Sequence, residues 1–228
     1  MSEYQYYEFQ AVDRPLNKGE IAELRALSTR AAITPTRFQN VYNWGDFTGD
    51  PLTLMGRYLD AFVYVANWGT HQFMLRLPRH LFDSETARSY AVNRSLGVHT
   101  SGDFVIVEFT SEDEEEAGWV EDEEAESWMP TLLPLRSDVA AEDLRALYLA
   151  WLGAAQTEIL DDEEIEPPVP PGLRCLSASL KALIDFLRIG GDLLDVATAP
   201  SFALPGAPSR PIWSSGSFTC RPRKRTRC

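Results

Sequence analysis

AFVYVANWGTHQFMLRLP, residues 61–78, decides the fold class. Ala61 to Ala66 is an unbroken apolar run, as in a strand buried on both faces. Phe73, Leu75 and Leu77 alternate with Gln72, Met74 and Arg76, which is the period of a strand. Asn67, Trp68, Gly69 and Thr70 between them are turn residues, so the segment reads as a β-hairpin.

Working outward, residues 4–12 (YQYYEFQAV) are aromatic-rich and predict a strand. Asn17 and Glu20 stand three apart as a capping box, with Leu16 and Ile21 in the staple positions. They start a helix whose buried stripe is Ile21, Leu24 and Leu27. Residues 34–45 (TPTRFQNVYNWG) read as a further strand through Phe38, Val41 and Tyr42. Asp50 and Pro51 then fit the cap and first position of a helix with Leu52, Met55 and Leu59 on one face.

Beyond the hairpin, residues 83–91 (DSETARSYA) make a short capped helix. SLGVHT and DFVIVEF (95–100 and 103–109) make two strands around Ser101 and Gly102. Leu144, Leu147, Tyr148, Trp151, Leu152 and Ala155 mark one long helix in residues 137–156. Leu180, Leu183, Ile184 and Leu187 mark another in residues 176–189, broken by Gly190 and Gly191. The expected class is α+β: a mixed, largely antiparallel sheet covered by helices, followed by a helical C-terminal appendage and a disordered tail. The expected divisions are an α+β domain over 1–157, an acidic Pro-rich linker over 158–172, the appendage over 173–199 and the basic tail over 200–228.

Charge is unevenly placed. The chain of 228 residues has a formal charge of −13. Ten acids fall within residues 112–126 and six within 158–166; without these sixteen the charge would be about +3. The first acidic segment has no periodicity and reads as a solvated loop. At the other extreme, five of the last eight residues are basic: Arg221, Arg223, Lys224, Arg225 and Arg227. Such an arm holds nucleic acid weakly and in a salt-dependent way. The acidic segments compete for it and no aromatic RNA-binding signature accompanies it, so specific nucleic-acid binding is not expected. Periodicity stops at Pro200, and the composition beyond it suits a shifted reading frame of GC-rich DNA.

Few residues suggest chemistry. Cys175, Cys220 and Cys228 form no disulfide framework and no CxxC. The first residues lack the basic and apolar regions of a signal peptide, and no run of 18 apolar residues exists, so a soluble cytoplasmic protein without membrane contact is expected. Walker A, GxSxG, GxGxxG and HExxH signatures are absent. The acidic runs lack the alternate spacing and glycine of a calcium loop, and the histidines (His71, His80, His99) match no zinc pattern, so neither metal nor cofactor is expected.

Val-x-Asn-Trp-Gly occurs twice, at 41–45 and 65–69, each time at a strand end. Trp44 and Trp68, with Asn43 and Asn67, would form an aromatic binding platform if they shared one edge; otherwise they pack two turns. Two function classes therefore stand. One is a protein-interaction module without catalytic activity, its partner another protein. The alternative is an enzyme using Asp46, Asp50 or His71 near the two turns, which requires those groups to converge in a pocket.

The segments MSEYQYYEFQAVDRPL, YVANWGT, MLRLPR, DLRALYLAWL and EPPVPPGL resemble an uncharacterised family of bacterial hypothetical proteins, over roughly residues 1–198. The resemblance implies a soluble bacterial origin and assigns no catalytic or binding residue.

Overall fold

The structure, a computed structural model, describes residues 3–92, 94–113, 117–157, 160 and 165–202. The basic segment 221–227 and Cys220 and Cys228 lie outside the described residues.

Seven strands form one sheet: β1 (Gln5–Gln10), β2 (Ala32–Ile33), β3 (Arg37–Tyr42), β4 (Ala61–Ala66), β5 (Thr70–Pro78), β6 (Leu96–Ser101) and β7 (Phe104–Glu112). Their order is β2-β3-β1-β4-β5-β7-β6. Every pairing is antiparallel, so the mixed element of the expected sheet is not present among the described strands. The hairpin forms as its sequence predicts, with Val63 opposite Phe73 and Ala61 opposite Leu75. Its turn closes through the Gly69 amide on the Ala66 carbonyl at 3.1 Å. Gly69 sits at φ +92°, a backbone that favours glycine.

Helices cover both faces, which explains the continuous apolar run of β4. On one face Phe9, Phe38, Phe62, Met74 and Ile106 meet α1 (Lys18–Leu27) and α2 (Pro51–Arg57). Here the sequence caps act as read. Asn17 accepts from the Gly19 and Glu20 amides, Glu20 reaches back to the Asn17 amide, and Asp50 accepts from the Thr53 amide.

On the other face Val63, Val65, Phe73, Leu75, Val107 and Phe109 meet α3 (Ser84–Arg88), α4 (Asp122–Leu132), α5 (Leu135–Ala140), α6 (Arg145–Gln156), α7 (Ala178–Phe186) and α8 (Gly191–Thr198). Leu147 is fully buried and Trp151 nearly so, as the α6 stripe predicts.

Three expectations need correction. The first acidic segment is not all loop, because Asp122 to Glu126 lie in α4. Ala125, Met129 and Leu132 are its buried stripe, and Asp122, Glu123 and Glu124 occupy the first turn, where carboxylates favour the positive helix end. Residues 137–156 are two helices, not one. Glu142 takes a left-handed backbone (φ +61°), with the Asp143 amide on the Asp138 carbonyl and the Glu142 amide on Val139. That is a Schellman ending with Glu where Gly is usual. The same device ends α7 at Arg188 (φ +57°), ahead of the expected Gly-Gly break.

The segment expected as linker and appendage is anchored over its described part. The Tyr90 hydroxyl donates to the Pro168 carbonyl at 2.8 Å and Arg145 donates to the Gly172 carbonyl at 3.2 Å. Leu180, Leu183 and Phe186 of α7 belong to the same core as the sheet.

Candidate functional site

The two Asn-Trp-Gly turns lie at the same end of the sheet. β1 runs between β3 and β4, with Gln5 opposite both Tyr42 and Ala66. The turns are therefore two strand spacings apart, roughly 10 Å. Gly45 at φ +74° and Gly69 at φ +92° end both copies in the left-handed region, so the repeated motif is a repeated turn.

Both tryptophans are exposed at this end. Trp44 is 76% exposed and Trp68 is 37% exposed, and no ring contact joins them among the described residues. Asn67 is a clamp. Its Oδ1 accepts from the Tyr4 amide at 3.0 Å, its amide donates to the Tyr4 carbonyl, and its carbonyl accepts from the Gly118 amide. It thus ties the start of β1 and the chain after β7 to the hairpin.

That tie places Trp119, which sequence reasoning overlooked, at the centre of this end. Two clefts meet there. One, of about 640 Å³, is lined by Asn67, His71, Trp119, Trp128, Asp185 and Arg188, among others. The second, of about 360 Å³, is lined by Tyr4, Asn43, Trp119, Val120 and the acids of the first α4 turn. Asn43 and Asn67 therefore line neighbouring clefts. The signal for Trp119 was present as a lone large aromatic inside an acidic run. The Tyr4 hydroxyl donates to Asp122 at 2.8 Å and holds α4 against β1. Burial first, then Asp122, push that phenol above its usual range, which keeps it a donor.

His71 forms part of the floor of the larger cleft. Its ring stacks on Phe186 at 4.9 Å, and Trp128 meets Phe186 edge-on at 5.1 Å. Arg188, aimed by its left-handed backbone, donates to the Gly69 carbonyl at 2.7 Å and to His71 Nε2 at 3.1 Å. A guanidinium only donates, so Nε2 accepts and Nδ1 carries the proton that bonds the Phe186 carbonyl at 2.9 Å. Both ring nitrogens are engaged in the neutral form.

Burial, then the Arg188 charge, lower the His71 pKa to about 4 from its usual 6.5. The unfolded chain therefore takes up a proton at this position before the folded one does. The stabilising difference is fully present above pH 6.5 and is lost as pH falls from there through about 4. It amounts to about 3 kcal/mol on the usual conversion. We expect His71→Gln to lose stability at pH 7 and to show a flatter stability–pH profile between pH 6.5 and 4, measured by urea unfolding. Parallel profiles for the two proteins would remove His71 from the acid response.

The catalytic alternative is not assembled. Asp46 lies on the opposite face, accepting from Gln5 Nε2 at 2.9 Å, and Gln5 Oε1 in turn accepts from the Tyr7 and Tyr64 hydroxyls. Asp50 is engaged as the α2 cap, bonding the Thr53 amide and hydroxyl. His80 is exposed on the turn after β5, and His99 bonds Glu108 across β6 and β7 at 2.6 Å. Among the described residues no three His, Cys, Asp or Glu side chains gather where a metal ion would fit, and no helix is long and apolar enough to cross a membrane. Comparison with family models, curated proteins and solved structures gave no match.

Proposed function

We propose that the chain is a protein-interaction module whose partner presents a basic, extended segment to the Trp119 ridge. The observation that carries this reading is Trp119 itself. It is 79% exposed, and it stands where two clefts meet. A large aromatic side chain held at the rim of concave surface is the residue type that most often dominates an interface.

The neighbouring charges select the partner. Among the described residues, Asp113, Glu124 and Asp185 line one cleft and Glu121, Asp122 and Glu123 the other, with Arg188 as the one cation lining either. The first-turn acids of α4 also serve their own helix, so they do not carry the reading alone. Next to an exposed indole they favour an arginine or lysine, which gains both an ion pair and a cation–π contact.

The test is fluorescence anisotropy of a labelled Arg/Gly peptide at roughly physiological salt, where weak surface attraction is largely screened. Trp119→Ala should weaken binding by at least about tenfold, the effect of one good aromatic anchor. Its melting temperature should stay unchanged, because the side chain buries little. A Glu/Gly peptide should not bind. Equal binding by the wild type and Trp119→Ala, or no binding by either, would overturn the proposal.

A further inference from the structure

A third cleft, of about 520 Å³, lies away from the Trp119 ridge, where the α5–α6 turn faces the proline-rich segment. Its walls are Tyr90, Leu144, Val169 and the rings of Pro168, Pro170 and Pro171. Proline has no amide hydrogen, so this wall is apolar and presents no backbone donor at those three positions. The wall is also fixed from behind. Tyr90 holds the Pro168 carbonyl, the Ser201 hydroxyl holds the Pro170 carbonyl at 2.9 Å, and Arg145 holds the Gly172 and Cys175 carbonyls.

Asp138 also lines this cleft, and its carboxylate receives no hydrogen bond from the described residues. Arg145, the cation that lines the cleft among the described residues, is otherwise engaged: its Nε and one amino group bind Asp143 at 2.9 and 2.5 Å, and the other amino group binds the two carbonyls. Burial, then the Asp143 charge, raise the Asp138 pKa, which the Arg145 charge partly offsets. The half-buried carboxylate thus lacks a counter-charge of its own. Glu142 and Asp143 also border the cleft, so three acids face one cation.

We propose that this cleft binds a small organic ammonium ion, with Asp138 as its counter-ion and the proline wall and Tyr90 receiving its apolar body. The volume is that of small-molecule sites, in which apolar walls supply contact and a few polar groups fix orientation. The acid excess sets the sign, since it attracts a cation and repels a carboxylate of the same shape. The fixed wall lowers the ordering cost that a loose loop would add to binding. Asp138 and the proline wall are separate from the Trp119 ridge, so this proposal does not depend on the peptide reading.

Three probes of one shape test it on the full chain: phenethylammonium, phenethyl alcohol and hydrocinnamate, titrated by NMR or calorimetry. Phenethylammonium should bind at least about tenfold more tightly than the alcohol, and hydrocinnamate should not bind measurably. Asp138→Asn should remove the ammonium preference while leaving the affinity for the alcohol unchanged. Val169→Phe, which fills the cleft without touching the acids, should weaken both. No binding by phenethylammonium, equal binding by all three probes, or an ammonium preference that survives Asp138→Asn would overturn the proposal.

Discussion

Asp60→Ala is expected to cost about 3–5 kcal/mol, the cost of breaking one partner out of a buried ion pair. Asp60 is fully buried at the start of β4. Its Oδ1 accepts from Arg76 Nε at 3.0 Å and from an Arg76 amino group at 2.6 Å, and its Oδ2 accepts from the Val12 and Asp13 amides. The truncation therefore leaves a buried guanidinium and two backbone donors without their acceptor. Arg136 adds a further tie, bonding Asp13 at 2.7 Å and the Arg76 carbonyl at 2.9 Å. One carboxylate thus joins the end of β1, the start of β4, β5 and α5. For a domain of this size each kcal/mol lowers the melting temperature by about 2–4 °C, so a drop of roughly 10 °C is expected. Circular dichroism melts would show it. A shift of a degree or two would mean that water reaches Arg76 and replaces the carboxylate. The double variant Asp60→Leu/Arg76→Met should recover the part of the loss that comes from the unpaired guanidinium, because well-packed apolar residues often replace a buried ion pair without cost, while the Val12 and Asp13 amides still lack their acceptor.

This node also shows what sequence alone could and could not reveal. Arg76 sits on the polar side of an alternating strand and reads as solvent-facing. Only the register that sets Ala61 opposite Leu75, and so Asp60 beside Arg76, turns it inward to a partner sixteen residues away. Local signals were legible because their physics is local. The Asn17 capping box, the Asp50 cap with Pro51 and the Gly69 turn need only neighbouring residues, and each forms as read. The helix ends at Glu142 and Arg188 were not legible, since neither residue favours the left-handed backbone it adopts. At Arg188 the holding contacts are visible in the Gly69 and His71 bonds. The candidate site followed the same rule. The repeated Asn-Trp-Gly motif pointed to the end of the sheet where the two clefts meet, because a turn is local. Trp119 escaped notice because its importance comes from the Asn67–Gly118 bond and the fold of the chain after β7. Asp46 and His71 lie close in sequence to the two turns yet face opposite sides of the sheet, a separation that spacing along the chain does not report.

Phe186→Ala is expected to cost about 3–5 kcal/mol, as large aromatic truncations in a closed core do. Phe186 is fully buried at the end of α7. Its ring contacts His71, Trp128 and, at 6.5 Å between centroids, Phe73 of β5. Its carbonyl accepts the hydrogen bond from His71 Nδ1. Phe186→Leu keeps most of the volume and should cost clearly less. The comparison matters because it bears on whether residues 173–199 are an appendage or a layer of the domain. If α7 is a layer, the loss appears as one cooperative transition shifted for the whole protein, sheet included, and a chain stopped at residue 157 does not fold alone. The exposed faces of Phe73, Val107 and Phe109 would then have no cover. If α7 is an appendage, Phe186→Ala unfolds in two steps, and the sheet melts at the wild-type temperature. Near-ultraviolet circular dichroism, which reports tryptophan packing, followed beside the far-ultraviolet signal separates the outcomes, since two-state unfolding makes the two curves coincide. We expect coincidence. The same truncation removes the support under Trp128, so the folded variant should also bind the Arg/Gly peptide less tightly than Phe186→Leu does. A peptide affinity unchanged by the loss of Phe186 would confine binding to the Trp119 rim and leave the floor of the larger cleft without a part in it.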